Sequence, residues 1–226
     1  MMMKYKQNLY LFLSICSEKS FVRTFLVESG TIAFMDISSL ILIGASTGGP
    51  GRIYSILSAL DNHFEGTIVI AQHMSAPFVP SFVHQLQSIA SLPICAVEEA
   101  CSVQKAHIYI CSLTTRLIAK NGSVWLEPME EGDYPYNPCI DHLFASAAHL
   151  PRSLKRLGVI LTGIGDDGAA GSLSLFESGG ECLFESEASA VVYGMPRRAK
   201  ELVGCAEVGG IDEIVERIRR FGASGV

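Results

Sequence analysis

Three residues suited to acyl-transfer chemistry, Ser46, His73 and Asp167, each follow an apolar run of the 226-residue chain. A serine hydroxyl is a poor nucleophile until a histidine takes its proton, and a carboxylate can hold that histidine in the required tautomer. Ser46 lies in Gly44-Ala45-Ser46-Thr47-Gly48, a G-x-S-x-G match of the kind that exposes a serine on a sharp strand-to-helix turn. Each residue also has a plainer reading. Ser46 or Thr47 could cap the next helix, or their loop could hold a phosphate. His73 could be a hydrogen-bonded structural residue, and an aspartate just before a helix is a favoured N-cap.

The elements that must position these residues follow from hydrophobic patterning. Leu40-Ile41-Leu42-Ile43 is an unbroken apolar, β-branched run, which reads as a strand buried on both faces. Thr67–Ala71 reads as a second such strand, ending at Gln72-His73-Met74, and Gly158–Thr162 as a third. Helices are expected after each: from Ser75-Ala76-Pro77, with Phe78, Phe82, Val83, Leu86, Ile89 and Ala90 at helical spacing, and through Ala169, Leu173 and Phe176 to Gly179-Gly180. Short strands are expected at Ile94–Val97, Ile108–Cys111, Leu117–Ala119 and Val124–Leu126, with Asn121-Gly122 a hairpin turn. This middle section reads as an antiparallel extension. Ile140, Leu143, Phe144 and Ala147 mark another helix; a strand at Cys182–Phe184 and helices at Pro196–Leu202 and Ile211–Phe221 complete the pattern. The fold class is therefore α/β: a doubly wound, mostly parallel sheet sandwiched by helices, with a small antiparallel hairpin extension. Such sheets bind ligands outside the carboxyl ends of their strands, where Ser46, His73 and Asp167 fall.

Composition narrows the function classes. Hydrophobic residues make up 49% and charged residues 18%, which is a globular balance. A net charge of −6 offers no basic face for nucleic acid. The seven cysteines (16, 95, 101, 111, 139, 182 and 205) form no C-x-x-C pair and read as small buried hydrophobes in a reducing compartment. Lys4 and Lys6 precede Leu9–Leu13, but the apolar run is too short to cross a bilayer and Glu18-Lys19 follow closely. The chain reads as cytoplasmic, with residues 1–36 an extension and 37–226 the main domain.

A rival reading uses the third loop. Gly163-Ile164-Gly165-Asp166-Asp167-Gly168 is a literal G-x-G-x-x-G between strand and helix, and Glu185 stands where a ribose-binding acid would. That would make the chain a dinucleotide-binding protein, although two carboxylates in the loop oppose a pyrophosphate. A non-catalytic protein that binds a partner helix is a third reading.

Residues 39 to 221 resemble the catalytic domain of the chemotaxis protein-glutamate methylesterase (CheB) family. The resemblance is carried by Ile43–Pro50, Gln72-His73-Met74, Gly158–Gly163, Asp167–Gly171, Glu187-Ala188-Ser189 and Tyr193–Pro196, in the family's order. It implies hydrolysis of glutamate γ-methyl esters on the cytoplasmic helices of chemoreceptors, with deamidation of receptor glutamines in many members. By position it makes Ser46 the nucleophile, His73 the base and Asp167 the orienting acid, and it implies no cofactor and no metal; the charge and the short apolar run already speak against a nucleic-acid partner and membrane insertion. The loop backbone at Thr47, Gly48 and Ile164 is the expected oxyanion site, and Met195, Arg197 and Arg198 are expected to face substrate, the arginines steering an acidic helix. Departures lie at Gln104-Lys105-Ala106 and Cys111-Ser112-Leu113, and at Cys139, Ile164 and Asp166, where the family usually has serine, methionine and asparagine. The 36 leading residues are too few for the receiver domain that family members usually carry.

Overall fold

The computed structural model describes residues 25–28, 31–34, 36–129, 132 and 134–223. Most of the expected extension, residues 1–24, lies outside the described residues. Within it, β1 (Phe25–Glu28) and β2 (Thr31–Phe34) pair as an antiparallel hairpin.

Beyond the hairpin the chain alternates strand and helix. In order come β3 (Ser39–Ala45), α1 (Gly49–Ser58), β4 (Thr67–Gln72), α2 (Val79–Gln87), β5 (Ile94–Val97), β6 (Cys101–Ser102), β7 (Ile108–Cys111), β8 (Thr115–Lys120) and β9 (Ser123–Pro128). There follow α3 (Ile140–Ala148), β10 (Lys155–Ile160), α4 (Ala169–Glu177), β11 (Glu181–Glu185), α5 (Met195–Val203), β12 (Glu207–Gly209) and α6 (Ile211–Gly222). Seven strands form one parallel sheet in the order β12-β11-β10-β3-β4-β7-β5.

Strand β3 illustrates why the pattern folds this way. Every one of its residues is buried, and successive side chains alternate between faces. Ile41 and Ile43 join a core with Ile53 and Leu57 of α1, Phe82 of α2 and Ile214 and Ile218 of α6. Leu40 and Leu42 join a second core with Ile140 and Phe144 of α3, Leu175 of α4 and Ala199 of α5. Each fully buried Ile, Leu or Phe contributes roughly 1.5–3 kcal/mol of transfer free energy, so a strand apolar on both faces is stable only between two helical layers.

The middle section corrects one expectation. Ile94–Val97 and Ile108–Cys111 are not part of an antiparallel extension; they pair in parallel and complete one side of the main sheet. Their brevity, at four residues each, made them resemble hairpin strands. The antiparallel portion is a separate three-stranded sheet, β6-β9-β8, whose β8–β9 turn has positive φ at Asn121 (52°) and Gly122 (78°). Leu117, Val124 and Leu126 of this sheet pack into the second core. The cysteines also divide: Cys111, Cys139 and Cys182 are buried, whereas Cys95 and Cys205 are exposed.

The sheet order places a functional crevice. From β3 the chain winds one way through β4 to β5 and β7, then returns to β10 on the opposite side of β3. The reversal between β3 and β10 is a topological switch point, where loops diverge and leave a crevice at the strands' carboxyl ends.

Candidate active site

Pairing registers bring the three sequence candidates to that crevice. Ala45 of β3 lies opposite Gln72 of β4, so Ser46 and His73 are the next residues on adjacent strands. The His73 N–H donates to Ala45 O at 2.9 Å, and the Ser46 N–H donates to Thr162 O, just past β10, at 3.0 Å. Gln72 Nε2 donates to both Ser46 O and His73 O at 3.0 Å, tying the two loops together.

Asp167 comes from the other side of Ser46, in the loop between β10 and α4. Its Oδ2 receives His73 Nε2–H at 2.7 Å. A carboxylate can only accept here, so neutral His73 carries its proton on Nε2 and keeps Nδ1 as the free base nitrogen. Among the described residues no hydrogen bond joins Ser46 Oγ to His73; such contacts are often long in the absence of substrate.

The plainer reading of Asp167, as cap of its own helix, is replaced by a more useful one. Helix α4 begins behind Gly168, with no side-chain cap. Asp167 instead caps α3: Ile140 N–H donates to Oδ2 at 2.8 Å and Asp141 N–H to Oδ1 at 2.9 Å. The Cys139 thiol donates to Oδ1 at 3.7 Å. Burial, and then the Asp167 charge, pushes that thiol up to about 11, so it remains a neutral donor. Asp167 is 1% exposed and has four donors for its four lone-pair positions. The carboxylate thus lies at the N-terminal end of α3.

The remaining candidates are spread differently. Thr47 is exposed, Gly48 is half-buried at the start of α1, and Ile164 is 63% exposed. Among the described residues the backbone N–H groups of Thr47, Gly48 and Ile164 meet no hydrogen-bond acceptor; Thr47 and Gly48 follow Ser46 directly, and Ile164 follows Gly163, where a Cβ would stand 2.7 Å from the Ser46 Cβ. Met195 is not brought to the surface. It is fully buried, its Sδ filling the space where a Cβ on Gly163 would stand, so it supports the loop from below. Arg197 and Arg198 lie exposed on α5, and both pair with Glu201, Arg198 at 2.6 Å.

Glu185, the acid of the dinucleotide reading, is fully buried and committed. It pairs with Arg52 at 2.8 Å, and receives Ser189 Oγ–H and Thr162 N–H, each at 2.8 Å. No ribose can reach it, and the second and third glycines of the G-x-G-x-x-G loop serve the protein's own contacts (Gly165 and Gly168, φ 95° and 91°). Among the described residues no three His, Cys, Asp or Glu side chains gather in a way that could hold a metal ion.

Tyr136, Cys139 and Asp141 belong to the site and were not singled out as site residues from sequence. Tyr136 stacks on His73 with ring centroids 5.0 Å apart and planes 6° apart, and its hydroxyl donates to Asp166 Oδ1 at 3.2 Å. Burial and then the Asp166 charge raise the phenol, which stays a neutral donor. Asp141 Oδ1 receives Gly171 N–H of α4 at 2.6 Å. One signal was available: α3 starts behind Cys139 with no Ser, Thr, Asp or Asn at its N-cap, so its free N–H groups needed an acceptor from elsewhere.

Comparison with known proteins bears on the family of the chain. Residues 41–218 match the profile of the CheB methylesterase family. The protein-glutamate methylesterase/protein-glutamine glutaminase of Thiobacillus denitrificans is 36% identical over 189 residues, which is 82% of this chain and 52% of that protein. The protein of the same name from Pectobacterium atrosepticum is 38% identical over 181 residues, 78% of this chain and 49% of that one. The chain thus spans about half the length of the curated relatives it matches. The crystal structure of the Thermotoga maritima CheB methylesterase catalytic domain superposes with a TM-score of 0.74 at 31% identity, covering 80% of this chain and 97% of that one.

Proposed function

Since the chain belongs to the CheB methylesterase family, we propose that it is a serine hydrolase that removes methyl groups from glutamate γ-methyl esters on the cytoplasmic helices of chemoreceptors. The observation that carries this reading is the 2.7 Å contact of His73 Nε2 with a buried, fully hydrogen-bonded Asp167, one strand from Ser46. The relatives' name also motivates a second activity at the same centre, deamidation of receptor glutamines. A γ-methyl ester and a γ-amide differ only in the leaving group.

The mechanism derives from the tautomer. Nδ1 of His73 takes the Ser46 proton as Oγ attacks the ester carbonyl, and Asp167 stabilises the imidazolium through Nε2–H. The negative carbonyl oxygen sits against the unpaired N–H groups of Thr47, Gly48 and Ile164; removing one such donor typically costs ~10²–10³ in rate. His73 then returns the proton to methanol, and water repeats the sequence on the acyl-enzyme. Because Arg197 and Arg198 already pair with Glu201, their part is confined to a local field for an acidic helix rather than a direct grip.

Among the described residues no helix is long and apolar enough to cross a membrane. The proposed setting is the cytoplasm, where methylated receptor helices are reached from outside the bilayer. Methanol release from methylated receptor cytoplasmic domains, run beside a generic ester such as p-nitrophenyl acetate, tests the reading. Release from receptor supports it, and hydrolysis of the generic ester alone would reassign the substrate.

A further inference from the structure

One hydrogen bond cannot fix a histidine ring. Asp167 holds His73 at Nε2, but the imidazole can still rock about that contact, and Nδ1 must aim at Ser46 for proton transfer. The face of the ring is covered by Tyr136, nearly parallel at 6°.

The third loop is shaped around that phenol. Gly165 has φ 95°, and a Cβ there would stand 2.7 Å from Tyr136 Oη. The next residue, Asp166, accepts the hydroxyl at 3.2 Å. The segment carrying Tyr136 is anchored on either side of it. Thr114 N–H donates to Asn137 Oδ1 at 3.1 Å, Cys139 N–H donates to Thr114 Oγ1 at 3.0 Å, and Tyr134 packs on His142 with ring centroids 5.5 Å apart. Gly165 and Asp166 thus belong to the loop that read as a phosphate cradle in the sequence, and their work is to seat an aromatic side chain.

We propose that Tyr136 is a positioning residue for His73: its stacked ring holds the imidazole with Nδ1 toward Ser46, and Gly165 and Asp166 form its seat. The proposal rests on the hydrolase reading, in which His73 is the base. It acts on turnover and not on substrate affinity, because the ring touches the base.

Two variants and two measurements test it. Tyr136→Leu keeps apolar bulk and loses the stacked face; Tyr136→Phe keeps the face and loses the hydroxyl. Tyr136→Leu is expected to lower kcat for ester hydrolysis roughly tenfold with KM within about twofold, since misaimed catalytic groups lose rate rather than binding. The ¹⁵N resonances of His73 are expected to report the single Nε2–H tautomer in wild type and Tyr136→Phe, and a mixture in Tyr136→Leu. If Tyr136→Leu fails to fold, Tyr136→Met, which also keeps apolar bulk without the stacked face, is read by the same two measurements with the same direction expected. A wild-type kcat with a single tautomer in the variant, or a raised KM with kcat unchanged, would overturn the proposal. Labelling of Ser46 by a fluorophosphonate separates the two readings: an unlabelled wild type counts against the hydrolase, while the tautomer measurement still decides the role of Tyr136.

Discussion

Asp141 and Asp167 exchange helix caps: Asp167, just before α4, accepts the first two N–H groups of α3, and Asp141, in the first turn of α3, accepts an N–H from the first turn of α4. The acid of the site is therefore built into the junction of two helices, and its position depends on a second carboxylate. Burial raises Asp141 above the ordinary carboxylate range, opposed by its backbone donors. Asp141→Ala is expected to cost about 1 kcal/mol of stability, as for a lost cap, and to lower kcat by roughly tenfold through a loosened Asp167. Urea denaturation and steady-state kinetics on one preparation check both. A stability loss with unchanged kcat would make the junction purely structural.

The adjacent aspartates of the third loop are expected to separate sharply. Asn at 167 would turn an amide NH₂ toward backbone N–H groups or toward His73. An amide at the orienting position of serine proteases favours the wrong tautomer and lowers turnover by ~10⁴-fold, which sets the expectation for Asp167→Asn. Asp166 accepts the Tyr136 hydroxyl, and an asparagine oxygen can still accept that bond. Asp166→Asn is expected to lose no more than about threefold in kcat, because the seat of Tyr136 is kept. Steady-state kcat of the two variants, measured side by side, decides the assignment: a dead Asp166→Asn beside an active Asp167→Asn would overturn it.

Glu185 supplies a stability test that also bears on the dinucleotide reading. Glu185→Ala would remove the carboxylate partner of the half-buried Arg52 guanidinium, leaving it the Ser189 carbonyl, and would leave the Thr162 N–H without its acceptor, at an expected cost of roughly 3 kcal/mol. In wild type, NAD, FAD and ATP at millimolar concentration are expected to leave the melting temperature unchanged, because ligands raise it only by binding the native state. A saturable upward shift with any of the three would reopen that reading.

Alkaline stability should follow the buried thiols. Burial pushes Cys111 and Cys182 up to about 12 and Cys139 up to about 11. An unfolded cysteine loses its proton near pH ~8.5, so above that pH the unfolded chain has shed protons that the native state keeps. Stability contributed by the protonated thiols is whole below pH ~8.5 and is lost as pH rises toward the folded-state values. Urea midpoints between pH 8 and 11 are expected to fall steadily, and Cys111→Ala to flatten the slope.

The parts of the site legible in sequence were those carried by local pattern. The apolar runs ending at Ser46 and His73 announce parallel strands, and parallel strands in adjacent register bring such residues together. Asp167 was legible as an acid in a strand-end loop, but its role as cap of α3 spans 27 positions and depends on how two helices pack. Tyr136 is 63 positions from His73 and lies in a segment with no periodic signal; only the folded loop around Gly165 reveals it. Ile94–Val97 and Ile108–Cys111 were misplaced because strand length says nothing of partner direction; the pairing of β7 to β4, and of β5 to β7, is a tertiary choice. Met195 read as a surface neighbour of Arg197 and Arg198, yet helical spacing points it inward beneath Gly163.

In the proposed mechanism Ser46 and His73 act as one unit on a glutamate γ-methyl ester. Methanol release from methylated receptor helices by wild type, Ser46→Ala, His73→Ala and the double variant measures it directly. Residues that act together are strongly non-additive, so each single variant is expected to lose nearly all activity and the double variant little more. Near-wild-type release by Ser46→Ala, or single losses that multiply in the double variant, would contradict the account.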